Sequence, residues 1–173
     1  MVTAEHWIET LGLEEHVEGG YFRRTFQADH RPRVATPAGE RHTLTSIFYL
    51  LTRRSPVGHW HLNRSDVLHF HHHGDPITYH LLLPDGGHRT AVLGQDPDRG
   101  QVLTLAVPGG IWKASHLTHG DHGLISEAVS PGFDYADMTL GRADPLLRLH
   151  PDHGDLIRRY CAPDTPGAAP SRR

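Results

Sequence analysis

Hydrophobic and polar positions alternate over short stretches along most of the chain, and this alternation has the period of a β-strand. The stretches are rich in β-branched and aromatic residues, and each one is closed by Gly, Pro, Asp or Asn. Short strands at regular spacing indicate an all-β sandwich or barrel rather than βαβ units. We predict strands over residues 21–26, 42–52, 58–62, 67–73, 77–83, 88–94, 101–107, 111–117, 123–129 and 134–140.

Helical patterns flank the strands. Thr3 can cap a short helix that Gly12 ends, and Pro151 with Asp152 can begin a second one. Each helix has an apolar face for packing on the strands, formed by Trp7, Ile8 and Leu11 in the first and by Leu156, Ile157 and Tyr160 in the second.

Composition narrows the class of protein. A chain of 173 residues is the length of one domain. We assign residues 1–160 to it and expect residues 161–173, which have little to bury, to form a disordered tail. The net charge of −3 and the mixed signs argue against nucleic-acid binding, and no segment is apolar enough to span a bilayer. A single cysteine, Cys161, suits a reducing compartment, so we expect a cytoplasmic protein.

Histidine is the unusual residue, with 17 copies. His59 and His61 stand two apart in a predicted strand, so both side chains leave one face with α-carbons roughly 6.5–7 Å apart. His69 and His71 share a face in the next strand. These four rings could bind one divalent transition metal, and such a shell would suit Zn, Ni, Cu or Fe better than Mg or Ca. They could also transfer protons, or the strand could be partly exposed and bind nothing specific.

Several motifs in consistent order resemble the cupin-5 family, a small family of the cupin superfamily. They are EGGYFRRTF at 18–26, HWHLNRSD at 59–66, HGDP at 73–76, VPGGIWKA at 107–114 and SPGFDYADMTL at 130–140. The resemblance implies a double-stranded β-helix, or jelly roll, similar in architecture to sugar-nucleotide epimerases. It also implies a homodimer, which would cover exposed sheet edges.

The resemblance also bears on metal binding. The first motif of metal-dependent cupins supplies two histidines and a glutamate, and a later motif supplies a third histidine. His59 and His61 match, but Val67 stands at the glutamate position and Lys113 at the later histidine. A conventional iron or manganese site is therefore disfavoured. Lys113 is the only lysine in the chain, and we expect it in the pocket unless it merely reaches the surface.

Further polar and aromatic residues match family positions and are candidates for binding substrate: Tyr21, Arg23, Trp112, Asp134 and Tyr135. Trp112, like Trp60, has packing as its simpler interpretation. We expect Glu18 and Asp137 either to line the pocket or to brace the fold through turn capping and salt bridges.

Three functions follow from these residues. The favoured one is an enzyme that acts on a small polar metabolite by acid–base chemistry, as an isomerase, epimerase, dehydratase or cyclase. His61 would be the base, and Lys113 or Tyr49 its electrostatic or acid partner. The alternatives are a metal-dependent dioxygenase or lyase, and a cupin that binds a ligand without turning it over.

Overall fold

The computed structural model describes residues 2–163. Within this range the helices are α1 (Ala4–Leu11), α2 (Ala143–Leu149) and α3 (Gly154–Tyr160). The strands are β1 (Glu14–Glu15), β2 (Tyr21–Gln27), β3 (Val34–Thr36), β4 (Gly39–Arg41), β5 (Thr45–Thr52), β6 (Val57–Asn63), β7 (Asp66–Gly74), β8 (Ile77–Leu82), β9 (His88–Leu93), β10 (Thr104–Val107), β11 (Trp112–Leu117), β12 (His122–Ser130) and β13 (Met138–Leu140). The predicted all-β class with a short helix at each end is confirmed.

Two antiparallel sheets face each other. The larger has the order β1-β2-β5-β12-β7-β10, the smaller has the order β13-β6-β11-β8-β9, and β3 and β4 form a separate hairpin. Alternate residues of each strand point into the space between the sheets. The apolar core there includes Leu51 and Ile125 from the larger sheet and Ile77 and Leu81 from the smaller.

The helices cover the outer faces of the sheets. Helix α1 begins at the Thr3 cap and ends at Gly12 in the left-handed conformation, as predicted, and packs near Leu50 and Leu124 of the larger sheet. Helices α2 and α3 pack against the smaller sheet around Trp60. No helix in the described part of the chain is long and apolar enough to cross a membrane.

Several boundaries differ from the prediction. Helix α2 was not predicted, and residues 151–153 form a 3-10 turn before α3 begins. The strand predicted over 134–140 begins only at Met138, because the Asp134 side chain accepts a hydrogen bond from the Ala136 amide and starts a 3-10 turn. The pattern did not reveal the short strands β1, β3 and β4. Residues 164–173 of the predicted tail lie outside the described residues.

A bulge in β6 changes which side chains enter the sandwich. His59 and Trp60 together oppose Ala114 of β11, so β6 has one residue more than its partner at this point. A bulge interrupts the alternation of a strand and turns the side chains on either side of it. His61 consequently faces the interior, whereas Trp60 is fully buried in the core under α2 and α3.

Candidate functional site

A group of polar and ionisable side chains lies between the two sheets, surrounded by apolar core. The inward positions of β5, β6, β7, β8, β11 and β12 supply six of them, and the turn that precedes β2 supplies two. We name the group the interior polar cluster; its members are His16, Glu18, Tyr49, His61, His69, Tyr79, Lys113 and Glu127. The side chains of His69 and Lys113 are 0% and 3% exposed, so these polar groups depend on one another for partners.

Glu18 and His61 form the first pair of the cluster. His61 Nε2 lies 3.2 Å from Glu18 Oε2, and His61 Nδ1 lies 2.7 Å from the carbonyl oxygen of His59. Because a carbonyl only accepts, Nδ1 carries the hydrogen and Nε2 of the neutral ring is an acceptor. Burial lowers the pKa of His61 well below its ordinary value, and Lys113 lowers it further.

The carboxyl group of Glu18 is the titrating member of this pair. Burial raises the pKa of Glu18 to about 7, although Lys113 opposes the rise. The protonated carboxyl can donate to His61 Nε2, whereas a carboxylate and a neutral ring would place two acceptors together. The pair therefore gains or loses a single proton near neutral pH.

Lys113 forms the second part of the cluster. Its Nζ donates to His69 Nε2 over 2.7 Å and lies 4.0 Å from Glu127 Oε2. His69 donates its Nδ1 hydrogen to the Leu105 carbonyl, which leaves Nε2 free to accept. Burial lowers the pKa of His69 well below its ordinary value and raises the pKa of Glu127. The neutral His69 ring and the Glu127 carboxyl group thus hold Lys113 inside the sandwich.

Two tyrosines complete the interior polar cluster. Tyr49 donates its hydroxyl hydrogen to the Gly19 carbonyl over 2.8 Å and so fixes the turn that carries Glu18. Gly58 makes room for this hydroxyl, because a Cβ there would meet Tyr49 and Ser115. Tyr79 stands edge-on to His69, and its buried hydroxyl has no hydrogen-bond partner in residues 2–163. Burial raises the pKa of both phenols well above the ordinary value.

Comparison with known proteins identifies the family of this chain. The family described as Cupin superfamily (DUF985) matches residues 5–141. The chain belongs to this cupin family. A relative, Uncharacterized protein YML079W from Saccharomyces cerevisiae, is 37% identical over 149 residues, which span 79% of this chain and 74% of the yeast protein.

Solved structures resemble this cupin over nearly its full length. A hypothetical protein from Leishmania major superposes with a TM-score of 0.86 at 32% identity, covering 93% of this chain and 99% of the other. Protein SO0799 from Shewanella oneidensis superposes with a TM-score of 0.85 at 30% identity, covering 95% and 100%. The predicted family and jelly-roll class are thereby confirmed.

The structure brings part of the predicted site of this cupin together. His61, His69, Lys113 and Tyr49 are members of the interior polar cluster. Tyr135 lies at the edge of the cluster, with its hydroxyl 3.5 Å from His16 Nε2 and nearly half of its surface exposed.

Four candidates face outward, which corrects their predicted position. The bulge in β6 turns His59 away, and its Nδ1 lies 3.2 Å from the carbonyl oxygen of Tyr160 in α3. Trp112 packs with the core under α2 and α3. Tyr21 packs beneath α1, and Arg23 donates to the Leu11 carbonyl at the end of that helix over 2.8 Å. The arginine is therefore satisfied outside the sandwich.

Two further candidates lie away from the cluster. His71 points inward at the far end of β7, where its Nε2 lies 3.2 Å from the Asp75 carbonyl. Asp134 caps the 3-10 turn and has no part in the cluster. Asp137 braces the fold, because it accepts a two-pronged salt bridge from buried Arg41.

Glu127, His16 and Tyr79 belong to the cluster but were not predicted, and Glu18 was named only as a lining or bracing residue. Glu127 had a visible signal, because it shares the inward face of its strand with apolar Ile125 and Val129. No periodic signal marked His16 or Glu18, since both lie in the turn before β2.

The side chains present do not fit a resident metal ion. Of the four histidines predicted as ligands, only His61 and His69 face the cluster. The Nε2 atom of His69 already accepts a hydrogen bond from Lys113 Nζ. A fixed ammonium at that place repels a second cation. Within residues 2–163, no three His, Cys, Asp or Glu side chains are arranged to hold an ion. The cluster instead offers proton-transfer groups and a fixed positive charge.

Proposed function

We propose that this cupin is an enzyme that moves a proton at a carbon next to a carbonyl group in a small polar metabolite. Isomerisation, epimerisation and the first step of a dehydration share this chemistry. The observation that supports the proposal is the Glu18–His61 pair, whose carboxyl and imidazole atoms lie 3.2 Å apart inside the sandwich. A general acid or base works best when its pKa is close to the operating pH, and the pKa of Glu18 is raised to about 7.

The pair acts as one unit with two states. With Glu18 ionised and His61 neutral, it takes a proton from the substrate carbon and becomes the acid form. The acid form then returns the proton to the substrate, at another atom or on another face. The hydrogen bond from His61 Nδ1 to the His59 carbonyl holds the ring in the tautomer that this exchange needs.

Lys113 stabilises the other end of the reacting group. Loss of a proton next to a carbonyl places negative charge on the carbonyl oxygen, and a preorganised positive charge in a water-poor site stabilises that oxyanion strongly. Lys113 is held in place by His69 and Glu127, so little reorganisation is needed. The Tyr79 hydroxyl, which has no partner in the described residues, supplies a further donor.

Deuterium exchange tests this proposal on several classes of carbonyl compound in parallel. Small sugars, keto acids and hydroxy aldehydes are incubated with the protein in D₂O, and exchange at the carbon next to the carbonyl is followed by NMR. We expect one class to exchange, and Glu18→Gln and His61→Gln each to slow exchange about 100-fold. His59→Gln is the matched control and keeps the wild-type rate.

Two outcomes contradict the proposal. One is exchange that continues unchanged in both Glu18→Gln and His61→Gln. The other is a compound that binds tightly, with an affinity that both variants weaken, but that never exchanges or converts. The second outcome supports a non-catalytic binding cupin.

A further inference from the structure

Glu18 faces a second imidazole as well as His61. Its Oε2 lies 3.2 Å from His61 Nε2, and its Oε1 lies 3.5 Å from His16 Nδ1. The Glu18 amide also points at His16 Nδ1, so this nitrogen is an acceptor in the neutral ring. One carboxyl group therefore has a proton acceptor at each of its two oxygens.

His16 connects this carboxyl with the protein surface. Its other nitrogen, Nε2, lies 3.5 Å from the hydroxyl of Tyr135. Glu18 is 5% exposed, whereas Tyr135 is 48% exposed. The row Tyr135, His16, Glu18, His61 thus runs from solvent to the centre of the interior polar cluster, and each step joins groups that can both accept and donate a proton.

We infer that His16 is a proton-transfer residue that exchanges the proton of the Glu18–His61 pair with solvent. The inference rests on the proposed function, in which solvent hydrogen can enter the substrate only after the proton of the pair has exchanged with water. A buried pair with no route to water would exchange slowly.

The transfer balances without any co-reactant. The O–H bond of Glu18 breaks at Oε1 as an N–H bond forms at His16 Nδ1. The N–H bond at His16 Nε2 then breaks as its proton passes to the Tyr135 hydroxyl, which releases its own proton to water. The reverse sequence loads the pair. Burial lowers the pKa of His16 to about 4, so the imidazolium is only a passing state and the ring is neutral, with a single N–H, at neutral pH.

His16 also has a packing role, which the test must separate from proton transfer. Its ring stands edge-on to Phe22, with the ring centres 4.5 Å apart. His16→Phe keeps an aromatic ring in this place but removes both nitrogens. His16→Ala leaves a gap that free imidazole can enter. His6→Ala, on the exposed surface of α1, is the matched control.

The experiment measures how fast Glu18 exchanges its proton, independently of turnover. Glutamate is labelled with ¹³C at its carboxyl carbon, and the Glu18 signal is followed by NMR through its titration. We expect exchange at least about tenfold slower in both His16 variants than in wild type and in His6→Ala. Tens of millimolar imidazole restores fast exchange in His16→Ala but not in His16→Phe.

Unchanged exchange in a folded His16→Phe variant overturns the inference, and so does slow exchange in His16→Ala that imidazole leaves slow. Where His16→Ala does not fold, His16→Phe decides. Failure of the proposed function looks different, because Glu18 would then exchange through His16 while no compound is turned over.

Discussion

One group of histidines lies between the two sheets and another lies on the outer face of the smaller sheet, and only the first is arranged for chemistry. Between the sheets, His61 of β6 and His69 of β7 each fix Nδ1 on a backbone carbonyl and point Nε2 at an ionisable group. On the outer face, His80 and His116 stack with ring centres 5.3 Å apart. His80 Nε2 and His116 Nδ1 are buried without a hydrogen-bond partner in residues 2–163.

The difference shows what turns a histidine into a functional group. Both groups have lowered pKa values, and burial is the main cause in each. The inner rings have a fixed tautomer and a carboxyl or ammonium partner, whereas the outer rings mainly contact other rings and Tyr160. A perturbed pKa alone therefore does not identify the site; the partner that shares the proton does.

The largest expected effect comes from removing the positive charge beside the inner group. Lys113→Gln removes the ammonium from the inner cluster, and we expect turnover to fall about 100-fold, because the oxyanion loses its counter-charge. Arg159 stands beside the outer group, where it lowers the pKa of His80 and His116. Arg159→Gln is the control and should keep wild-type turnover. Steady-state kinetics on the substrate class found by deuterium exchange measure both variants.

Wild-type turnover together with wild-type ligand affinity in Lys113→Gln would contradict a role of the Lys113 charge in the reaction. The lysine would then be a structural partner of Glu127 and nothing more. Circular dichroism of the variant shows that any loss of turnover comes from a folded protein.

A smaller effect is expected from the outer group, on stability rather than activity. Burial lowers the pKa of His80 to about 4. Between pH 6.5 and pH 4, His80 is therefore protonated in the unfolded chain but neutral in the folded protein. The associated stability is present above pH 6.5 and is lost as the pH falls towards 4. His80→Gln removes this loss.

We expect the free energy of unfolding of His80→Gln, relative to wild type, to be about 1 kcal/mol higher at acidic pH than at neutral pH. The effect is this small because the His80 ring is partly exposed and solvent screens its charge. Urea unfolding at the two pH values measures it, with His6→Gln as the exposed control. Parallel pH profiles for wild type and His80→Gln would show that the outer stack does not resist protonation.

The fold was largely readable from the sequence because alternation and turn residues are local signals. Eight of the predicted strands correspond closely to β2, β5, β6, β7, β8, β9, β11 and β12. The two remaining predictions were longer than β10 and β13. Short strands such as β3 escaped, because three residues are too few to show a period.

The site was readable only in part, for three physical reasons. The bulge in β6 turns His59 outward, and an extra residue leaves no mark on the alternation. Arg23 faces α1, because the helix covers the outer side of β2 and accepts its hydrogen bond at Leu11. Glu18 and His16 lie in a turn, where no period says which way a side chain points. Lys113 was found because it is the only lysine in the chain.

The proposed chemistry depends on one exchangeable proton that the Glu18–His61 pair holds near neutral pH inside the sandwich. Carboxyl ¹³C NMR measures it directly, with the Glu18 signal assigned by its disappearance in Glu18→Gln. We expect a titration midpoint at about 7. A midpoint near the ordinary value of 4.5 would show that Glu18 is a carboxylate at neutral pH and that the pair exchanges no proton there.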